Sequence, residues 1–191
     1  MKLILASASP RRRELMALAV PRYEVCVSQV DESELTAPDP AALAQVLARA
    51  KCAAVAALHP EDVVVGCDTV VDVDGQVLGK PRDKEDARRM LQLLSGRTHR
   101  VHTGVCIQAP GEQRLFCATT EVEFWPLDPQ ELEDYLATEE PYDKAGAYGI
   151  QGYGSMFVSH LDGDYFCVMG LPVCTLAGML RDAGVRILGQ A

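Results

Sequence analysis

Residues 62–79 read DVVVGCDTVVDVDGQVLG. Two apolar, β-branched runs flank Asp74-Gly75, a pair suited to a tight two-residue hairpin turn. The pattern predicts two antiparallel strands. They lie between two stretches of helical character, DPAALAQVLARAKCAAVAAL (39–58) and DKEDARRMLQLLSG (83–96). Strands alternating with helices build parallel sheets, whereas strands joined by tight turns build antiparallel ones. A chain that does both predicts an α/β fold around a mixed sheet. The same stretch places Asp68 inside an almost wholly apolar run. Burying an unpaired carboxylate is expensive, so the residue implies a metal, a lysine or a substrate proton beside it. Thr69 adds a hydroxyl to the same strand.

Upstream, KLILA (2–6) predicts a short buried strand, and RRRELMALA behind Pro10 predicts a helix whose proline sits harmlessly in the first turn. Alternation in YEVCVSQV (23–30) predicts a half-buried strand. Asp39 and Pro40 open the alanine-rich helix as cap and first-turn residues, and Gly96 stands at the expected end of the next helix. Downstream, RVHTGVCIQA (100–109) and LFCATTEVEFW (115–125) predict strands around a Pro-Gly turn. LDPQELEDYLAT (127–138) predicts a helix capped by Asp128, and MFVSHLDGDYFCVMG (156–170) a hairpin around Asp162-Gly163. LPVCTLAGMLRDAG (171–184) predicts a closing helix with Pro172 near its start. No linker or internal repeat stands out, so a single domain over 1–191 is expected.

With 48% hydrophobic and 24% charged residues, the 191-residue chain has the composition of a soluble globular protein. Its formal net charge of -9 disfavours duplex nucleic acid or an anionic membrane as main partner. A small anion remains compatible, because a few basic groups focused into one cleft outweigh a distant acidic surface. The seven cysteines contain no CxxC pair and mostly fall inside apolar patterns, which predicts reduced, buried thiols and a cytoplasmic location. The apolar run LILA is too short for a signal-peptide core, and no run approaches the ~20 residues of a membrane span.

ASASPRRR (6–13) puts three arginines where a first strand hands over to a first helix. Helix N-termini favour anions. Ser7 and Ser9 offer hydroxyl donors, and arginine forks match phosphate oxygens. The stretch reads either as a phosphate site or as a solvated basic helix start; it lacks the glycine–lysine pattern of a Walker loop. Asp31 and Glu32, at the end of an expected strand, are either functional or simply solvated. Lys80 follows Gly79, where backbone can approach a ligand closely. Lys51, in the long helix, reads by itself as a surface lysine. In KAGAYGIQG (144–152) the glycines suggest backbone packed on a flat ligand, with Gln151 reading a base edge; the other reading is a tight loop without a partner. His99 and His102 are spaced for a helical metal site but fall at a strand start. A divalent ion held by Asp68, Glu32 and phosphate oxygens is the more natural proposal.

Taken together, LILASASPRRRELM, the DE of 31–32, LARAKCAAVA, VVVGCDTVV, LGKPRDKEDARRML, LSGRTHRVHTGV, EPYDKAGAYGIQG and VMGLP resemble, in order, the Maf family of septum-formation-inhibitor-like nucleotide pyrophosphatases. The resemblance implies a Maf/ITPase-like α/β fold: a central twisted mixed sheet flanked by helices, and two lobes around a deep cleft. It implies hydrolysis of nucleoside triphosphates between the α and β phosphates with Mg2+ or Mn2+. Ser7, Arg11 and Arg12 match the family's phosphate loop, and Arg13 falls at a variable position. Glu32, Lys51, Asp68 and Lys80 match its catalytic cleft's polar residues, Glu32 and Asp68 sharing the roles of metal ligand and base in either order; Thr69 and Gln151 match substrate-contacting positions. The KAGAYGIQG form resembles the branch acting on dTTP and UTP. The alternatives are a purine (ITP/XTP) or 7-methyl-GTP pyrophosphatase, or a nucleotide-binding regulator of cell division. Family members are often homodimers, so self-association is expected; nucleic acid and membrane are not expected partners.

Overall fold

The computed structural model describes residues 1–187. In chain order the elements are β1 (Leu3–Ala6), α1 (Pro10–Ala19), β2 (Glu24–Val25), α2 (Pro40–Ala56), β3 (Val63–Val73), β4 (Gln76–Leu78) and α3 (Lys84–Leu94). They continue as β5 (Thr98–Ala109), β6 (Glu112–Phe124), α4 (Pro129–Leu136), β7 (Val158–Asp162), α5 (Tyr165–Met169) and α6 (Val173–Asp182). Short 3-10 turns occupy Glu140–Asp143, Ala145–Ala147 and Tyr153–Phe157.

All seven strands join one mixed sheet in the order β2-β1-β3-β5-β6-β7, with β4 added to the end of β3. β1 runs parallel to β2 and β3, because a helix or a long crossover connects each pair. β3, β5, β6 and β7 run antiparallel in succession. Asp74 and Gly75, both with positive φ, turn the β3–β4 hairpin as their composition predicts. Ser9, Asp39, Asp83 and Asp128 each cap a helix by accepting a backbone N–H, a contact that contributes about 1 kcal/mol.

On one face of the sheet the core comes in two pieces. Val63, Val65 and Cys67 of β3 and Val105 and Ile107 of β5 pack against α1 and α6. Farther along the same strands, Val71, Val73 and Val101 pack against α3 and α4. Between the two clusters the cross-strand pair is Thr69 with Thr103. Two hydroxyl residues thus mark the seam where the molecule divides. The opposite face carries α2, whose Ala44, Ala48, Cys52 and Val55 meet Ile4, Val64, Val70 and Cys106. That approach is unusually close: a Cβ on Gly66 would lie 2.4 Å from the Ala48 carbonyl oxygen, and one on Gly104 2.3 Å from that of Ala44. Glycine in the sheet and alanine in the helix let one backbone rest on the other.

Two local expectations are corrected. The strand expected over 23–30 shortens to Glu24–Val25, since its partner β1 is only four residues long and turns into α1 after Ala6. Asp31 and Glu32 consequently lie in a loop. The hairpin expected over 156–170 keeps only its first strand, β7. After Gly163, Asp164 caps Phe166 and the apolar run YFCVM winds into α5, stopped by Gly170 at φ +113. A five-residue apolar run does not distinguish strand from helix by itself.

Candidate active site

The seam opens into a cleft of about 1180 Å³. Ser7, Arg11, Arg12, Glu32, Lys51, Asp68, Thr69, Lys80 and Gln151 all line it, although they come from six separate parts of the chain. Arg13 is exposed outside it, and its carbonyl accepts the Tyr23 hydroxyl.

At the start of α1 the small residues do the local work. Ser7 is buried and its Oγ accepts the Ser9 N–H at 3.2 Å; Ser9 Oγ in turn accepts the Arg12 N–H at 3.4 Å. The turn so formed aims Arg11 and Arg12 into the cleft. Arg12 donates Nε to the Gly170 carbonyl at 2.9 Å and Nη2 to Thr69 Oγ1 at 3.0 Å. The same Gly170 carbonyl accepts the Cys67 thiol at 3.0 Å. Burial pushes Cys67 up to about 11, so it remains a protonated donor. Arg11 reaches across the cleft to Asp143, 3.5 Å away. Burial acts to raise the Asp143 carboxyl, yet Lys144 and Arg11 outweigh it and hold it below its ordinary value.

The partner implied by an aspartate in an apolar strand is a lysine. Lys51 Nζ lies 2.5 Å from Asp68 Oδ1 and 2.9 Å from Glu32 Oε1. Its side chain is only 14% exposed and that of Asp68 13%, while Glu32, on its loop, is 46% exposed. Lys51 is therefore not a surface lysine. The close seating of α2 over Gly66 and Gly104 brings it down onto the strand, opposite the pair Asp68–Gly104. One ammonium between two carboxylates leaves a local charge of about -1, facing the arginines. Lys80 is exposed and, among the described residues, has no carboxylate within ion-pair distance.

Oxygen donors of this kind suit a hard divalent cation. Among the described residues there is no group of three or more ligating side chains. Glu32 and Asp68 bring two carboxylates of that donor class into the cleft, and Mg2+ characteristically takes its remaining ligands from water and bound substrate. The histidines serve elsewhere: His99 meets the Tyr148 hydroxyl, and His102 meets Asp72 and Thr119.

The family model for "Maf-like protein" matches residues 2–183. The chain belongs to this family. Among curated proteins, it is 49% identical over 180 residues to the dTTP/UTP pyrophosphatase of Bacillus cytotoxicus, covering 94% of each chain. It is 46% identical over 186 residues to the dTTP/UTP pyrophosphatase of Bacillus cereus, covering 97% of each. A solved structure, the Staphylococcus aureus Ham1 protein, is 18% identical with a TM-score of 0.48, over 65% of this chain and 72% of that one.

Two Maf-chain residues of the cleft escaped the reading of the sequence. Glu140 accepts the backbone N–H of Tyr153 at 2.8 Å and of Gly154 at 3.0 Å, and the Tyr135 hydroxyl at 3.1 Å. A Cβ on Gly152 would fall 2.1 Å from its Oε2. The glycines of the 149–154 loop thus make room for a half-buried carboxylate that fastens the loop carrying Gln151. Gly170 supplies the carbonyl that orients Arg12. Both stand inside quoted family stretches, EPYDKAG and VMGLP, but nothing in their residue type alone marked a site role.

Proposed function

We propose that this Maf-family chain is a nucleoside triphosphate pyrophosphatase that cleaves dTTP and UTP between the α and β phosphates, releasing nucleoside monophosphate and pyrophosphate. The observation that carries the reaction type is the Glu32–Lys51–Asp68 cluster set beneath Arg11, Arg12 and Lys80 in one cleft. The pyrimidine preference rests on relatives 46–49% identical over almost their whole length. The reading is of one catalytic domain in the cytoplasm, acting on a small nucleotide. Association into a homodimer belongs to the same expectation and is measured by sedimentation. Among the described residues no helix is long and apolar enough to cross a membrane.

In this reading the phosphate chain lies along α1. Arg12 spends two of its donors on Gly170 and Thr69 and turns the remaining N–H groups toward phosphate oxygens. Lys80, without a carboxylate partner among the described residues, takes the oxygens of the departing pyrophosphate. Asp68 Oδ1 is held by Lys51, while Oδ2 receives no hydrogen bond from the described residues. Oδ2 therefore orients the attacking water and accepts its proton. The water oxygen bonds to the α-phosphorus as the bond to the pyrophosphate oxygen breaks. Glu32 and Asp68 would hold a divalent ion, which would supply charge neutralisation at the phosphates and acidify a bound water. Gln151, on the loop fastened by Glu140, presents a donor and an acceptor that match the amide edge shared by uracil and thymine.

The test is a panel of dTTP, UTP, CTP, GTP, 7-methyl-GTP and ITP with Mg2+ or Mn2+, reading pyrophosphate and orthophosphate separately. Pyrophosphate released fastest from dTTP or UTP supports the proposal. A purine preference overturns the role of Gln151. Orthophosphate alone overturns the scissile bond, and binding without turnover overturns the enzyme reading in favour of a nucleotide-binding regulator.

A further inference from the structure

A chain of hydroxyls runs from the phosphate-facing arginine into the sheet. Arg12 Nη2 donates to Thr69 Oγ1 at 3.0 Å; Thr69 Oγ1 lies 3.0 Å from Thr103 Oγ1; and Thr103 Oγ1 lies 2.8 Å from the Cys167 carbonyl oxygen. The two ends fix the direction of every bond. A guanidinium only donates and a carbonyl only accepts. Thr103 has one hydrogen, and it points to Cys167. The Thr69–Thr103 contact must then use the hydrogen of Thr69, which leaves Thr69 nothing but lone pairs for Arg12. Every member of the chain is satisfied in this direction and in no other.

Thr103 is fully buried. It pairs with Thr69 across β3 and β5 at the seam between the two apolar clusters. Its acceptor, Cys167, lies in α5, the short helix that ends at Gly170. Gly170 is the second anchor of Arg12, and a Cβ there would meet Thr69 Oγ1 at 3.3 Å and Arg12 Nε at 3.4 Å. One hydroxyl thus ties α5, β3 and the arginine into a single arrangement.

We infer that Thr103 is a positioning residue for phosphate binding: it consumes the Thr69 hydrogen, makes Thr69 a pure acceptor, and so fixes the Arg12 guanidinium in the cleft. Thr69 acts on substrate through Arg12 rather than by donating to it. The inference rests on the phosphate reading of the cleft but not on the identity of the base.

The experiment compares Thr103→Val, Thr103→Ser, Thr69→Val and the double variant Thr69→Val/Thr103→Val with the parent protein. Thr120→Val is the control. Thr120 is also fully buried and exchanges hydrogen bonds with the Asp164 backbone, but among the described residues it makes no hydrogen bond to Arg12, Thr69 or Thr103. Affinity for inorganic pyrophosphate with Mg2+ is measured by calorimetry, and KM and kcat for dTTP are measured separately. Thr103→Val is expected to weaken pyrophosphate binding about tenfold, as loss of a charge-assisted hydrogen bond would, and to raise KM far more than it lowers kcat. Thr103→Ser keeps the hydroxyl and binds as the parent does. Thr120→Val loses thermal stability without losing affinity, and the double variant is no weaker than either single one. Unchanged pyrophosphate binding in Thr103→Val, or equal loss in the serine variant, overturns the inference. If Thr103→Val does not fold, the serine and Thr69→Val variants decide it: parental affinity in the first with a tenfold loss in the second supports it, and any other pairing refutes it. A parent that binds pyrophosphate yet hydrolyses no triphosphate sinks the proposed activity while leaving this test intact.

Discussion

His99 should make the protein acid-sensitive by an amount that can be worked out in advance. Its side chain is 2% exposed, edge-on to the rings of Phe124 and Tyr148 at 4.9 and 5.4 Å. Nε2 meets the Tyr148 hydroxyl at 2.8 Å, and Nδ1 is buried without a partner among the described residues. Burial alone lowers its pKa from 6.5 to about 4. The unfolded chain therefore binds a proton here that the folded chain refuses. The stability contribution is fully present above pH 6.5 and is lost as pH falls toward 4. The full shift corresponds to about 3 kcal/mol. Between pH 7 and pH 5, where most carboxylates are already ionised, linkage leaves about 2 kcal/mol to this one ring. The perturbation is His99→Gln, which removes the titrating group. Urea unfolding of both proteins at pH 7, 6 and 5 gives two stability profiles. The parent is expected to lose about 2 kcal/mol more than the variant across that range. Parallel profiles would falsify the argument, because ionisable groups common to both proteins cancel in the difference.

Other substitutions probe the cleft and the helix above it. Asp68→Asn keeps the shape of the strand but removes the proton acceptor; turnover should fall on the order of 10²–10⁴-fold with circular dichroism unchanged, and full turnover would remove Asp68 from the mechanism. Gly104→Ala drives a methyl to within 2.3 Å of the Ala44 carbonyl oxygen. The expected cost is about 1–3 kcal/mol, seen as a lower Tm, and the lifted helix should separate Lys51 from Asp68 and depress activity; a variant as stable and active as its parent contradicts the seating described. Glu140→Gln leaves one carbonyl oxygen where two backbone N–H groups and a tyrosine hydroxyl were held. KM for dTTP should rise several-fold and discrimination against CTP should narrow, both checked by initial rates. Chelation by EDTA should abolish turnover and Mg2+ or Mn2+ restore it; activity that survives chelation argues against an ion on Glu32 and Asp68.

Much of this was legible in the linear pattern because it depends on neighbours in the chain. Caps at Asp39 and Asp128 and the Asp74-Gly75 turn act within a few residues, so residue type decided them. Asp68 announced a partner because a lone carboxylate in an apolar strand is costly. Where an outcome depended on a distant partner, local pattern failed. YEVCVSQV alternates like a strand, but β1 ends too soon to pair with it. YFCVM fits either period, and its cap and stop made it a helix.

The sequence by itself determined the class of fold, the run of most elements and, through its ordered family stretches, which residues to look for. Only the tertiary structure decided that Lys51, a solvated lysine by its helical surroundings, is the cation between Glu32 and Asp68. It did so because glycines 66 and 104, far from Lys51 in sequence, let α2 sink onto the sheet. It likewise decided the work of Glu140 and the direction of the Arg12–Thr69–Thr103 chain. Hydrogen bonds between side chains and backbone remote in sequence leave no periodic trace, since they are set by the distances that packing creates.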